Sequence, residues 1–384
     1  MKLMIVAGES SGDYLGANLI SGLQARFNGL EIIGMGGPKM AAAGLHSPFD
    51  VNDISVIGLA EVIKRLPRII RVFNHLKNQL KKEKPTLLVT IDLPDFNLRL
   101  AKEARKLGIP VVHYVSPQVW AWRKNRIYSI AKRVNHLLAL FPFEPEMYKP
   151  TGLPVTFVGH PLVDLVKDHG DPLKVRHALS IADDAQLVTL LPGSRQSELK
   201  RLLPVMVASA ERIHQKHGHV RFVLAQADTV TLADLDHAAG AAGLPDWIEP
   251  IGHKTYDLLG ASDAALVASG TATLETALIQ TPMVVIYRVN AITYQIGLRI
   301  VKIPFFSLAN LVAGKQVVPE RLQHEANPEM IAEDLLNILE SKEKSQEIRN
   351  NLQAVTQQLS NPQRTAVDVV SDWLDGTLSV VSGG

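Results

Sequence analysis

Leu187-Val188-Thr189-Leu190-Leu191-Pro192-Gly193-Ser194-Arg195 is the stretch that decides the fold. Its first five residues form an apolar run of strand length, and Pro192 and Gly193 then break the extension into a turn. Residues 197–216 follow with helical patterning. Strand, turn and helix in that order are the unit of a parallel sheet with crossover helices. Toward the C-terminus the rhythm repeats as strand 220–225, helix 232–242, strand 263–268, helix 272–280 and strand 283–287. Toward the N-terminus the same alternation runs through strand 3–7, helix 13–26, strand 31–34, helix 57–83, strand 86–91, helix 95–107, strand 110–115 and strand 137–140. It pauses at Pro142, Pro145, Pro150 and Pro154. The pattern predicts an α/β protein with two Rossmann-like doubly wound parallel-sheet domains, at 1–165 and 166–345, and a helical tail at 346–384. Residues 328–375 read as three polar helices, with Asn327-Pro328 and Asn361-Pro362 as helix starts.

Composition agrees. The 384 residues suffice for two domains of ordinary size. A net charge of +2 gives no reason to expect nucleic acid as a partner. The absence of cysteine excludes disulfide scaffolds, thiolate metal sites and cysteine nucleophiles. The run Leu3 to Ala7 is too short for a signal or membrane segment, and no stretch reaches the roughly 18 apolar residues that a spanning helix needs.

In sheets of this kind ligands bind beyond the carboxyl ends of the strands. Gly193 lets the backbone approach an oxyanion, Ser194 can donate, and Arg195 can clamp a diphosphate. The alternative is a structural turn whose arginine pairs a surface carboxylate. Ser269-Gly270-Thr271-Ala272-Thr273-Leu274-Glu275 also follows a strand and opens a helix. Gly270 and Thr271 suit phosphate at a helix N-terminus, and Glu275, one turn on, suits ribose hydroxyls. An ordinary N-cap run is the alternative there. Neither loop is a Walker A, and Gly34-Met35-Gly36-Gly37 does not complete a dinucleotide fingerprint.

Three places in the first half carry polar residues after strands. Ala7-Gly8-Glu9-Ser10-Ser11-Gly12-Asp13 satisfies the nucleophile-elbow pattern of serine hydrolases. It equally suits a glycine-rich turn at which Glu9, Ser10 and Ser11 meet a substrate. In Thr90-Ile91-Asp92-Leu93-Pro94-Asp95-Phe96-Asn97, Asp92 lies where a carboxylate could take a proton from a sugar hydroxyl, or could hold a backbone turn. Asp95 reads as the N-cap of the next helix. Trp120 and Trp122, beside Arg123 and Lys124, suggest a wall for a sugar or lipid, with core packing as the alternative.

Residues 61–73 place Ile63, Leu66, Ile70 and Phe73 on one helical face and Lys64, Arg68 and Arg71 on another. This suits an anionic membrane surface, or a core-facing helix with a solvated basic side. No metal site is expected, because His214, His217 and His219 cluster at a helix end and Asp234-Leu235-Asp236 falls within a helix.

Five of these motifs, at 7–13, 91–97, 113–123, 191–195 and 269–275, occur in the order found in the bacterial lipid-A-disaccharide synthase family, which the chain resembles over essentially its whole length. The resemblance implies a GT-B glycosyltransferase that moves 2,3-diacylglucosamine from UDP to the 6-hydroxyl of 2,3-diacylglucosamine 1-phosphate, inverting and without metal or cofactor. It implies a homodimer with exchanged C-terminal helices, peripheral on the cytoplasmic face of the inner membrane. Asp92 matches the family's proposed base, Arg195 and Glu275 its donor-site residues, and Glu9 and Asn310 polar positions needed for activity, with Asn310 assigned to the donor side. The chain departs from the family at Ala309, where proline is usual, and at Arg321, where leucine is usual. A UDP-sugar epimerase on the same architecture and a non-catalytic membrane-surface protein are the rival readings.

Overall fold

The computed structural model describes residues 1–54, 59–122, 124–167, 169–182, 184–240, 243–290, 294, 295, 297 and 303–379, and of residues 52, 59–64, 121 and 122 the backbone alone. The chain forms two compact units. One comprises Met1–Pro161 with Asn361–Gly384, and the other Leu162–Ser360. The expected tail at 346–384 is thus divided, with 346–360 in the second unit and the remainder in the first.

In the first unit the strands are β1 (Lys2–Ala7), β2 (Glu31–Met35), β3 (Leu87–Ile91), β4 (Val111–Tyr114), β5 (His136–Ala139) and β6 (Val155–Phe157). They form one parallel sheet in the order β2-β1-β3-β4-β5-β6. The helices are α1 (Ser10–Gln24), α2 (Pro38–Ala42), α3 (Leu59–Glu83), α4 (Pro94–Lys106), α5 (Val119–Trp122), α6 (Arg126–Ala131) and α7 (Glu144–Tyr148). β1 and β3 are buried along nearly their whole length, as strands covered on both faces must be, and read as continuous apolar runs rather than as alternation. α3 turns Val72, Leu76 and Leu80 onto Met4, Met35 and Leu88. Each such fully buried side chain is worth about 1.5–3 kcal/mol.

The second unit repeats the plan. Its helices and strands alternate as α8 (Leu162–Leu165), α9 (Pro172–Ala178), β7 (Gln186–Leu191), α10 (Gln196–Lys216), β8 (Val220–Gln226), α11 (Leu232–Ala239), β9 (Ile248–Gly252), α12 (Thr255–Ala261), β10 (Ala264–Ala268), α13 (Thr271–Leu278) and β11 (Met283–Tyr287). α14 (Leu308–Ala313), β12 (Glu320–Leu322), α15 (Pro328–Glu340) and α16 (Lys342–Ser360) follow. The sheet order is β12-β11-β10-β7-β8-β9, all parallel. α10 buries Leu199, Leu202, Leu203, Met206, Ala210 and Ile213, the i, i+3, i+4 stripe that seats a helix on a sheet.

Strand order locates the functional edge. In the first sheet the winding reverses between β1 and β3, and in the second between β7 and β10. Loops leaving neighbouring strands toward opposite faces part at such a point, which opens a crevice at the strand carboxyl ends. The loops after β1 and β3 hold Glu9 and Asp92, and those after β7 and β10 hold Arg195 and Gly270.

Three expectations change. Helix 13–26 begins at Ser10, so Ser10 and Ser11 sit in its first turn. Asp95 does not cap α4. The residue before that helix is Leu93, and Asp95 instead pairs with Arg126. Asn327 does cap α15 through Met330 N–H, but Asn361-Pro362 starts no helix. The last helix, α17 (Ala366–Leu374), is capped by Thr365 and Asp368. It lies on α1, where Asp368 accepts from Arg26 at 2.6 Å, and Trp373 Nε1 donates to His136 Nδ1 at 3.3 Å.

Pro67 sits inside α3 without interrupting it. Leu66 and Ile70 are about half exposed and share the solvent side with Arg65, Arg68 and Arg71. Arg68 pairs with Asp53, and Phe73 turns inward, edge-on to Phe96. Phe73 therefore leaves the exposed apolar face expected for it. The side chains of Ile63 and Lys64 lie outside the described residues. Among the described residues no helix is long and apolar enough to cross a membrane.

Candidate functional site

β7 delivers the chain to Gly193, whose φ of +102° lies in the region that glycine tolerates and β-branched residues do not. The Ser194 and Arg195 amides donate to Glu198 Oε2 at 3.2 and 3.3 Å. Arg195 Nη1 donates to Glu198 Oε1 at 2.9 Å, while its side chain stays 77% exposed. The arginine therefore pairs a carboxylate, one of the two readings open from the sequence, and is exposed enough to meet another anion.

The loop after β10 is anchored differently. Ser269 Oγ donates to Phe306 O at 2.7 Å, and Thr273 Oγ1 accepts the Leu308 amide at 3.1 Å. α13 then starts at Thr271, and the first amides of any helix have no acceptor within it. Gly193, Ser194 and Arg195 from one loop and Gly270, Thr271 and Glu275 from the other line a single cavity of about 280 Å³. A second cavity of about 410 Å³ shares Glu275 and adds Asp228, His253 and Tyr256. Glu275 Oε1 accepts from Tyr256 Oη at 2.9 Å, and burial raises its carboxyl above the usual range. His253 and Tyr256 escaped the sequence reading because they follow β9, a strand that the apolar pattern did not reveal.

Asn310 is not in this cavity. It is fully buried in α14, its Oδ1 accepting the Val317 and Val318 amides at 2.7 and 3.0 Å. Its Nδ2 donates to Val318 O at 3.0 Å and Glu320 Oε1 at 2.7 Å. Glu320 in turn accepts the Phe306 and Ser307 amides, both at 2.9 Å. Asn310 thus holds the segment that holds Ser269. Ala309 is fully buried beside it. Arg321 neither reaches the cavity nor faces water alone, since it makes a bidentate pair with Asp334 at 2.6 and 2.8 Å, joining β12 to α15.

In the first unit, Asp92 and Leu93 both have left-handed backbones, with φ of +52° and +38°. Such conformations cost about 1–3 kcal/mol each and persist where the surroundings impose them. Here Asp92 N–H donates to Tyr114 O, and Asn97 Nδ2 donates to the carbonyls of Ile91 and Asp92. Asp92 Oδ1 accepts the Gly8 amide at 3.0 Å, so the carboxylate does hold the turn after β1. Its Oδ2 is buried without a partner among the described residues. A Cβ on Gly12 would lie 2.1 Å from that oxygen, so α1 can approach only because residue 12 is glycine. Burial, reinforced by the charge of Glu9, lifts the Asp92 carboxyl to about 8 against the pull of the Gly8 amide. Glu9, Ser10 and Ser11 are exposed around it at the start of α1.

Beside this edge, His113 is buried with Nδ1 2.7 Å from Thr90 Oγ1, and burial pushes it down to about 4, leaving a neutral imidazole. Trp120 is interior, edge-on to Phe141 and Phe143, so core packing accounts for it. Glu144, absent from the sequence reading, is 1% exposed, accepts the Phe141 amide at 3.1 Å and is raised by burial to about 7. The Trp122 side chain and Arg123 lie outside the described residues.

Residues 3–371 match the family model described as lipid-A-disaccharide synthetase. The chain belongs to that family. Lipid-A-disaccharide synthases of Myxococcus xanthus and Nitrosococcus oceani are 42% and 40% identical, the first over 88% of both chains, the second over 97% of this chain and 96% of its relative. As a member of the lipid-A-disaccharide synthetase family it is a glycosyltransferase of lipid A biosynthesis. Among solved structures it is similar to the UDP-GlcNAc 2-epimerase from Neisseria meningitidis bound to UDP-GlcNAc, with a TM-score of 0.59, 14% identity and coverage of 94% and 99%. The calicheamicin glycosyltransferase CalG4 has the same TM-score and identity, with coverage of 100% and 99%. At that identity the likeness is one of fold, the GT-B architecture, which epimerases and transferases share.

Proposed function

We propose that the chain transfers 2,3-diacylglucosamine from its UDP derivative to the 6-hydroxyl of 2,3-diacylglucosamine 1-phosphate, with inversion and without a metal. The observation that carries this reading is the cavity at the β7/β10 switch point, where two anion-suited loops and Glu275 converge within one unit. The Gly193–Arg195 turn and the start of α13 take the diphosphate, and Glu275, at the junction with the His253 and Tyr256 cavity, takes the ribose. The departing UDP carries negative charge, which Arg195 and the helix N-terminus stabilise as the glycosidic bond to phosphate breaks.

Asp92 is the base in this scheme. A carboxylate raised to about 8 has real affinity for a proton near neutral pH, and a general base works best with its pKa close to the working pH. Its unpartnered Oδ2 is the atom that receives the proton of the acceptor hydroxyl. Glu9, Ser10 and Ser11 offer polar contacts to the acceptor sugar. The exposed strip of Leu66 and Ile70 beside Arg65 and Arg71 suits an anionic lipid surface, on the cytoplasmic face of the inner membrane. Exchange of the C-terminal helices in a homodimer would reuse the contacts of α17 with α1, because swapped elements remake the same interface.

The test separates binding from chemistry. Asp92→Ala is expected to bind UDP as the parent does, while turnover falls by about 10²–10⁴. Retained turnover would remove Asp92 from the mechanism.

A further inference from the structure

Three donors of the 193–195 turn are already engaged by one side chain. Glu198 Oε2 accepts the amides of Ser194 and Arg195, and its Oε1 accepts from the Arg195 guanidinium. An ordinary capping carboxylate at this position satisfies the N-cap amide alone. Glu198 reaches one residue further back and takes the cation as well. It also lies over the open face of the turn, because the Cβ that Gly193 lacks would fall 2.4 Å from Oε2. A carboxylate with one oxygen on two amides and the other on a guanidinium is the arrangement that two phosphate oxygens would adopt at the same loop.

The geometry points to Glu198 as an intramolecular competitor for the diphosphate, the residue that sets how tightly the 193–195 turn holds UDP. This rests on the reading of the cavity as a UDP site. Glu198 occupies these three donors and must give them up when the diphosphate enters. Both amide contacts are long for charge-assisted bonds, and the Glu198 side chain is 26% exposed, so the exchange is shallow and the carboxylate has solvent to move into. A diphosphate carries more charge than one carboxylate and wins the exchange, at reduced net affinity. When UDP has to leave, the returning carboxylate re-engages the donors and speeds release.

Calorimetric titration of the full chain with UDP, and with uridine as a probe that lacks phosphate, tests this. Glu198→Ala and Glu198→Gln are both expected to bind UDP more tightly, by about three- to tenfold, as loss of a partly exposed charged competitor allows, with uridine unchanged. UDP dissociation, followed by stopped flow, slows by the same factor. A gain in affinity is not something a misfolded variant can mimic. Unchanged or weaker UDP binding in both variants, with melting transitions intact, overturns the proposal. Arg195→Ala is the control for the site itself: if it binds UDP as well as the parent chain, the UDP-site reading fails and the role of Glu198 falls with it.

Discussion

Replacing Asp92 by Asn should abolish turnover and at the same time stabilise the first unit, by an amount that grows with pH. The folded carboxyl titrates at about 8 against an ordinary value of 3.8. Between those values the folded chain holds a proton that the unfolded chain has released. Stability therefore falls as pH rises through this window, by up to ~1.4 kcal/mol per unit. From pH 5 to pH 8 the integrated loss is ~3–4 kcal/mol, and it levels off above the folded pKa. Asparagine keeps the shape and can still accept the Gly8 amide, but has no charge to bury. Urea unfolding at pH 5, 6, 7 and 8, followed by tryptophan fluorescence, reads the effect, since Trp120, Trp122 and Trp373 belong to the first unit and only Trp247 to the second. The stability of Asp92→Asn relative to the parent should climb steadily with pH. A difference that stays flat across the range would mean that Asp92 is charged in the folded protein at all these pH values, and its assignment as a poised base would lose its physical ground.

Because only the ionised carboxylate can accept the proton, kcat/KM should rise about tenfold per pH unit below the folded pKa and level off near pH 8; a profile independent of pH from 6 to 8 would contradict this. Gly12→Ala puts a methyl group 2.1 Å from Asp92 Oδ2, so the carboxylate must shift. Turnover should fall by about 10²-fold, the scale of an ångström-size misplacement, with UDP affinity retained in a titration. Asn310→Ala leaves the buried Val317 and Val318 amides without their acceptor, at about 1–3 kcal/mol each, and frees Glu320. Thermal melting should drop and UDP binding weaken together; an unchanged UDP affinity would detach Asn310 from the donor loop.

Strands buried on both faces were legible because continuous apolar runs leave little else to read, as in Leu187–Leu191 and Leu87–Ile91. The strands at three of the four sheet edges were not. Val155–Phe157, Ile248–Gly252 and Glu320–Leu322 are short, only partly buried and interrupted by polar residues or proline, so their patterns match a loop equally well. Losing β9 also hid His253 and Tyr256. Motif residues at strand ends were found because strand order puts them at the switch points. What those residues do with their partners was not legible, since contacts such as Asp92 with Gly8 and Gly12, or Asn310 with Glu320, join segments whose spacing carries no signal of its own. Asp95 shows the opposite error, a local capping rule overridden by the left-handed backbone at Asp92 and Leu93, which starts α4 at Pro94.

Transfer itself is the most direct measurement. Purified protein is mixed with UDP-2,3-diacylglucosamine and 2,3-diacylglucosamine 1-phosphate, and UDP and the tetraacyl disaccharide phosphate are quantified by mass spectrometry, with acceptor omitted in a parallel sample. UDP and disaccharide are expected in equal amounts, neither forming without acceptor. UDP released at the same rate without acceptor, or a donor converted to its epimer with no disaccharide, would contradict the assignment of the switch-point cavity to glycosyl transfer.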